Sequence, residues 1–436
     1  MSSLKVGVGR GRITPPVGAM LMGYAPARAA ETVHDELAVT AIALEQGQVK
    51  ALLISADVCV IKDPQSTHFR TRISEATGVP FDNIILSATH THSGPAMRAT
   101  PGGADLDEAY LNSIFEPQAV DAAAQAVDTL RSARMGVATA LSDVGVNRRQ
   151  IDPSGNVQLG QNPWGCFDPT MTVIGFRGTD DAPIANLIHY GAHCTAAGKN
   201  VEVTRDWAGP MVDRLEAESG ALTVFFNGAE GDCGPRLPNG KTTGGGDIRF
   251  ALELGARAGI EAGATFRTIK EFRDVDVRVV SDRIRLPYEP LPAPESVERT
   301  IDAMGPPDKL VGLRVMSYKA LCARLEESRA PGPHATHLEL RQSVVSVGPV
   351  AFVPFPFEVF SEITLRLRDG SPFQHTLSLS NANGSYFYFP SQDQIARGGY
   401  EVSVFKSMNP RALADDADNA ALTENLRLLE TLATAQ

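Results

Sequence analysis

Short β-forming runs alternate with longer helical stretches along most of this 436-residue chain, which points to an α/β fold built on a mixed sheet. Apolar runs such as Leu52-Leu53-Ile54 and Ile84-Ile85-Leu86 read as buried strands, which a two-sided sheet requires. With 43% apolar and 21% charged residues, the chain has ample material for a core.

Taken in order, strands are expected over 5–8, 37–44 and 49–55, separated by glycine-rich turns. A helix is expected over 64–76, then the buried strand through Leu86, then an alanine-rich helix over 106–130. Further strands follow Val137, including 183–190; Arg205-Asp206-Trp207 opens a helix through Leu215. The run 221–226 is rich in strand formers, and 248–262 returns to helix. Near residue 270 the pattern changes: Val275, Val277 and Val279 alternate with charged residues, 287–307 is proline-rich, and 308–329 is helical. Strands at 338–347 and 349–353 precede a helix over 358–368, and a last helix occupies much of 410–433. One domain over 1–436 is expected, with sub-lobes 1–269 and 270–436 sharing one active site.

Several function classes recede on composition. The formal net charge of −11 argues against nucleic acid or an anionic membrane as partner, because both demand clustered Lys and Arg. Cys59, Cys166, Cys194, Cys233 and Cys322 are scattered, with no Cys-x-x-Cys pair, so neither a disulfide framework nor a thiolate zinc site is indicated. No apolar run reaches the roughly eighteen residues of a membrane span, and the first residues lead into a strand, so a cytoplasmic location is expected. Gly7, Gly9 and Gly11 invite a phosphate-loop reading, but Ile13-Thr14-Pro15-Pro16 reads as a turn rather than a helix start.

The chemistry concentrates in Ser87-Ala88-Thr89-His90-Thr91-His92-Ser93-Gly94-Pro95. If the strand continues through it, alternation places His90 and His92 on one face, and Gly94-Pro95 ends the strand where α/β enzymes place their sites. Imidazole is the commonest zinc ligand, and a second one beside it can move protons. Other ligand-capable groups follow apolar runs: His193 after 185–192, Glu358 after Val353-Pro354-Phe355-Pro356-Phe357, and Tyr388 within 381–388. A carboxylate such as Glu358 in apolar surroundings needs a partner, and a metal would supply one. The remaining histidines, at 34, 68, 189, 334, 337 and 375, lack such a context and read as structural.

These motifs, with Asn147-Arg148, Asn162-Pro163, Gly231-Asp232 before Pro235, and Gly398-Gly399-Tyr400-Glu401, resemble the neutral/alkaline, non-lysosomal ceramidases, from Gly7 to about Val404. The resemblance implies a mixed-sheet zinc-hydrolase domain binding one zinc ion per chain through His90, His193, Glu358 and Tyr388. It makes His92 a proton shuttle and places Tyr400 and Arg148 against the substrate or the developing oxyanion. Tyr388 is preferred to Tyr386 because it precedes Tyr400 at the family's spacing. Asp57 and Asp206 are candidates to orient the imidazoles, and the loops 150–165 and 235–247 are expected to shape the pocket.

The implied reaction is hydrolysis of an amide, an N-acyl bond, in a small soluble substrate. Ester or lactone hydrolysis on the same site, a two-metal phosphoesterase using Asp57, Asp206 and Asp232, and a catalytically inactive metal-binding protein are the alternatives. Two departures point away from ceramide. Gly234 stands where ceramidases have a serine before the proline, and neither a secretion signal nor the C-terminal immunoglobulin-like domain of full-length ceramidases is expected.

Overall fold

Strands with apolar residues on both sides need a cover on each face, and this chain meets that need by layering. The computed structural model describes residues 3–99 and 106–434. Its main sheet has eight strands: β1 (Lys5–Arg12), β2 (Ala38–Gln46), β3 (Val49–Ala56), β4 (Ile84–Ala88), β5 (Arg131–Leu141), β6 (Thr170–Gly178), β7 (Pro183–Tyr190) and β8 (Leu222–Asn227). Their order is β8-β7-β6-β5-β1-β2-β3-β4. The interior pairs are antiparallel, whereas both outer pairs, β7–β8 and β3–β4, are parallel.

Alternation along β2 and β3 assigns the two faces. Val39, Ala41, Ala43, Leu52 and Ile54 join the cluster under the helices α1 (Gln65–Thr77) and α2 (Glu116–Asp128). Ile42, Leu44, Ala51 and Leu53 point the other way, into a core shared with a second sheet. The helices α3 (Ala208–Ser219) and α4 (Ile248–Arg267) cover the β6–β8 end. Asp247 caps α4 by accepting from the Arg249 amide, and left-handed Gly220 ends α3.

The second sheet is built from β9 (Val277–Pro287), β10 (His337–Val347), β11 (Val350–Pro354) and β13 (His375–Leu379), in the order β9-β10-β11-β13. A short parallel ribbon, β12 (Glu358–Val359) with β14 (Tyr388–Phe389), stands beside it. Val345, Val347, Phe352 and Leu377 face the first sheet. The opposite face packs on α7 (Ser361–Gly370) and α9 (Ala417–Thr434). Before these lie α5 (Pro294–Met304) and α6 (Leu313–Arg329), and between them α8 (Tyr400–Ser407). The architecture is therefore helix, sheet, sheet, helix. Among the described residues, no helix is long and apolar enough to cross a membrane.

Three expectations change. Pro294 occupies the first turn of α5, where proline is tolerated, so the proline-rich stretch contains a helix. Glu358 belongs to a strand, with the helix starting three residues later at Ser361. Gly7, Gly9 and Gly11 form no phosphate loop. They lie at alternate positions of β1, where a Cβ would strike the α2 backbone at Ala126, Ala122 and Gln118. The glycines let helix and strand approach closely.

Candidate active site

Each parallel strand pair releases its chains in the same direction, and the site is assembled from those exits. His90 leaves β4, and its neighbour β3 leads to Cys59; His193 leaves β7, and its neighbour β8 leads to Glu230. In the second sheet β11 leads to Glu358, and its parallel partner β13 leads through Asn381 to Tyr388. The edges of the first sheet curl toward each other. Ser55 Oγ donates to the Phe225 carbonyl at 2.6 Å, Asn227 Nδ2 donates to the Thr89 carbonyl at 3.0 Å, and Thr91 bridges to Cys194.

His90 and His92 meet, but not by strand alternation. β4 ends at Ala88, and His90 takes a left-handed backbone, φ 66°. That turn brings His92 Nε2 to 3.1 Å from His90 Nε2. Glu358 Oε2 lies 3.7 Å from His90 Nε2 and 3.3 Å from His193 Nε2. His193 Nε2 and Glu358 Oε2 are both buried without a hydrogen-bond partner.

Main-chain carbonyls set the tautomers. His90 Nδ1 is 2.8 Å from the Cys59 carbonyl oxygen, and His193 Nδ1 is 2.7 Å from that of Glu230. A carbonyl only accepts, so each Nδ1 carries the proton and each Nε2 presents a lone pair. Burial pulls all three imidazoles below the ordinary histidine pKa, His193 to about 3, and keeps them neutral. Burial alone would raise Glu358, but its surroundings, among them the permanent charge of Arg148, lower it below the ordinary carboxylate range and keep it ionised. Neutral imidazoles and an ionised carboxylate are the donor state that a metal requires.

The described residues include two groups of His, Cys, Asp or Glu with atoms close enough to share an ion: Cys59–His90–His92 and His90–His193–Glu230. Chemistry favours Glu358 over Glu230 as the carboxylate. Glu230 Oε1 lies on the protonated side of His90, 3.9 Å from Nδ1, and accepts from Asn381 Nδ2 at 2.6 Å. Burial, then the Glu358 charge, pushes the Glu230 carboxyl well above its usual range. Burial likewise raises the Cys59 thiol, which stays neutral.

Tyr388 is the register partner of Glu358 in the β12–β14 ribbon, so both side chains leave one face. Its ring stacks on His193 with centroids 6.3 Å apart, while Tyr386 packs on Phe357 in the neighbouring core. The Arg148 guanidinium sits 5.2 Å from the Tyr388 ring centre, its Nε donates to Glu401 Oε1 at 2.9 Å, and its Nη2 is buried without a partner. Burial alone would lower Arg148, but Tyr388, Glu401 and Glu358 lift it above its ordinary value. Arg149 is instead spent on Glu401, Gln394 and the Gly398 carbonyl. Tyr400 starts α8 with its ring 5.9 Å from that of Tyr388. His90, His92, Glu358, Tyr388 and Tyr400 line a cavity of about 1000 Å³ including its mouth; His193 and Arg148 stand directly behind its wall.

Asp57 and Asp206 do not orient the imidazoles. Asp57 accepts from the Ala38 amide, and Asp206 gathers the amides of Ala196, Ala197 and Trp207. Asp232 accepts from the Ser361 amide and hydroxyl. None of the three belongs to a metal-capable group among the described residues. Nor do the loops 150–165 and 235–247 line the cavity, whose walls are 22–25, 59–60, 312–316, 385–388 and 400–404. A Cβ on Gly234 would come 2.7 Å from Thr242 Cβ, so the 235–247 loop fills the space a serine would need. Sequence reasoning missed Cys59, Glu230 and Asn381. Two of them act through carbonyls that no residue type announces.

Residues 4–241 match the family described as neutral/alkaline non-lysosomal ceramidase, N-terminal. That stretch holds His90, His92, Arg148 and His193. Neutral ceramidase A of Dictyostelium discoideum is 28% identical over 209 residues, 45% of this chain and 29% of that protein. The neutral ceramidase of Drosophila melanogaster is 28% identical over 238 residues, 50% of this chain and 32% of that one. These matches span only about a third of the relatives' own length. The neutral ceramidase from Pseudomonas aeruginosa shares the fold: TM-score 0.73 at 18% identity, over 99% of this chain and 75% of that one. With more than half its length matched by the family and nearly all of it by the fold, the chain belongs to the neutral/alkaline non-lysosomal ceramidase family.

Proposed function

We propose that the protein is a zinc-dependent hydrolase that cleaves the amide of a small N-acyl compound. The observation that carries this reading is the convergence of His90 Nε2, His193 Nε2 and Glu358 Oε2, the last two buried and unpartnered, at the wall of an open cavity. Buried polar atoms without partners are costly, and a cation among them removes that cost.

His90, His193, Glu358 and Tyr388 would hold the ion, and the carbonyls of Cys59 and Glu230 keep the two imidazoles aimed. Zinc in such a site supplies a Lewis acid and brings the pKa of its water to roughly 7. His92 stands beside the ligands with Nε2 turned toward them, placed to accept a proton and deliver it to the leaving nitrogen. Glu401 fixes the Arg148 guanidinium while leaving Nη2 free, so Arg148 and the Tyr400 hydroxyl can stabilise negative charge on the carbonyl oxygen. Amide, ester and lactone carbonyls would all meet these groups; family membership favours the amide.

The test is amine release from a panel of N-acyl substrates by zinc-loaded protein and by His92→Gln. Loss of about 100-fold or more in kcat with metal retained is expected for removal of a general acid/base. No hydrolysis of any amide by the zinc-loaded wild type would overturn the reading.

A further inference from the structure

Arg98 has no role in the chemistry above, yet it lines the same cavity with its Nε buried and unpartnered. Its guanidinium lies 4.8 Å from the centre of the Phe387 ring, and Lys62 Nζ lies 5.6 Å from the same centre. Among the described residues neither cation forms an ion pair with a carboxylate. Burial pulls both groups below their ordinary values, and for Lys62 the Arg98 charge adds to the effect. Among the described residues the lining contains a single acid, Glu358, which is committed to the imidazoles. The rest of the wall is largely apolar, with Met22, Val60, Leu313, Met316, Phe387 and Val404. An unpaired cation in an apolar wall is costly unless an anion meets it there.

We propose that Arg98, backed by Lys62 across Phe387, binds a carboxylate of the substrate. The substrate class is then a small N-acyl compound with an apolar chain and one carboxylate, an inference that rests on the amide-hydrolase reading. The carboxylate lies either on the amine half, as in an N-acyl amino acid, or on the acyl half, as in the monoamide of a dicarboxylic acid.

Two matched pairs separate these sources: N-octanoylglycine against N-octanoylglycinamide, and the monoethylamide of octanedioic acid against N-ethyloctanamide. Wild type, Arg98→Gln and Arg98→Lys are compared by kcat/KM. Calorimetric binding of N-(octylsulfonyl)glycine and its primary amide, which lack a cleavable amide at the acyl position, supplies a readout independent of turnover. The acid of one pair is expected to be preferred about tenfold or more, as for a charge-assisted contact, with the preference lost in Arg98→Gln and partly kept in Arg98→Lys. Should Arg98→Gln fail to fold, Lys62→Gln is expected to reduce the same preference. A wild-type preference below about twofold in both pairs, or one that survives Arg98→Gln, would overturn the inference. If neutral amides are cleaved as well as acids, the hydrolase reading stands and this inference falls. If no amide is cleaved, the hydrolase reading falls, and the calorimetric preference still decides the role of Arg98.

Discussion

At the scale of single residues, the site depends on where protons sit. Glu358→Gln replaces a carboxylate by an amide that repays neither imidazole. Metal affinity is expected to fall by more than about 100-fold, read as metal content after dialysis against a weak chelator. Asp232 is a contrasting buried carboxyl, only 2% exposed and raised to about 6 by burial that its Ser361 bonds only partly offset. Because its folded pKa lies above the unfolded 3.8, the native state holds more protons between those values. This group's stabilisation is therefore present below about pH 4 and lost as pH rises through about 6. Asp232→Asn, which keeps an acceptor for Ser361, should gain up to about 3 kcal/mol relative to wild type between pH 4 and pH 7, read by urea unfolding. A difference that stays flat with pH would show that Asp232 is ionised throughout. The candidate donors at 90, 193 and 358 could be singled out from sequence because their residue types carry the chemistry, whereas the choice of Tyr388 over Tyr386 rests on the family's spacing to Tyr400. The Cys59 and Glu230 carbonyls could not, since every residue has one.

Elements position these groups through their ends. The parallel pairs β3–β4, β7–β8 and β11–β13 each send a proposed ligand and a supporting group to one side. The close fit of α2 on β1 holds the β1–β4 half of the frame, so Gly9→Ala, whose Cβ would meet the Ala122 carbonyl, should cost about 1 to 3 kcal/mol, read as a lowered Tm. An unchanged Tm would mean that the helix shifts without penalty. Long apolar strands such as 183–190 were legible to the residue, because burial on both faces leaves an unbroken apolar run. Strand β13, His-Thr-Leu-Ser-Leu, carries no clear strand signal: it is five residues long and buries Thr376 and Ser378 in the interior, where His189 Nε2 donates to the Ser378 carbonyl. The helix α8, which presents Tyr400, is eight residues and follows left-handed Gly398 and Gly399, so nearby glycines masked its start. The expected continuation of β4 through His92 failed because the left-handed His90 redirects the chain.

Across the whole molecule, the two sheets share one core and the proposed ligands come from both, His90 and His193 from the first, Glu358 and Tyr388 from beside the second. Metal binding should therefore be coupled to global unfolding. Free metal at about a thousand times Kd adds about 4 kcal/mol to the folded state, so chelation should lower the Tm of wild type and leave that of Glu358→Gln nearly unchanged. Equal shifts in both proteins would place the metal elsewhere. The α/β class and the mixed sheet were legible from the alternation of elements. The packing of one sheet on another was not, because periodicity shows that a face is buried and not what covers it. The most direct measurement is elemental analysis of wild type and His193→Ala, with N-acyl hydrolysis followed on the same samples. One zinc per chain, lost together with activity on substitution, is the predicted result; a wild type that hydrolyses amides with no metal, or a variant that keeps both metal and activity, would contradict the account.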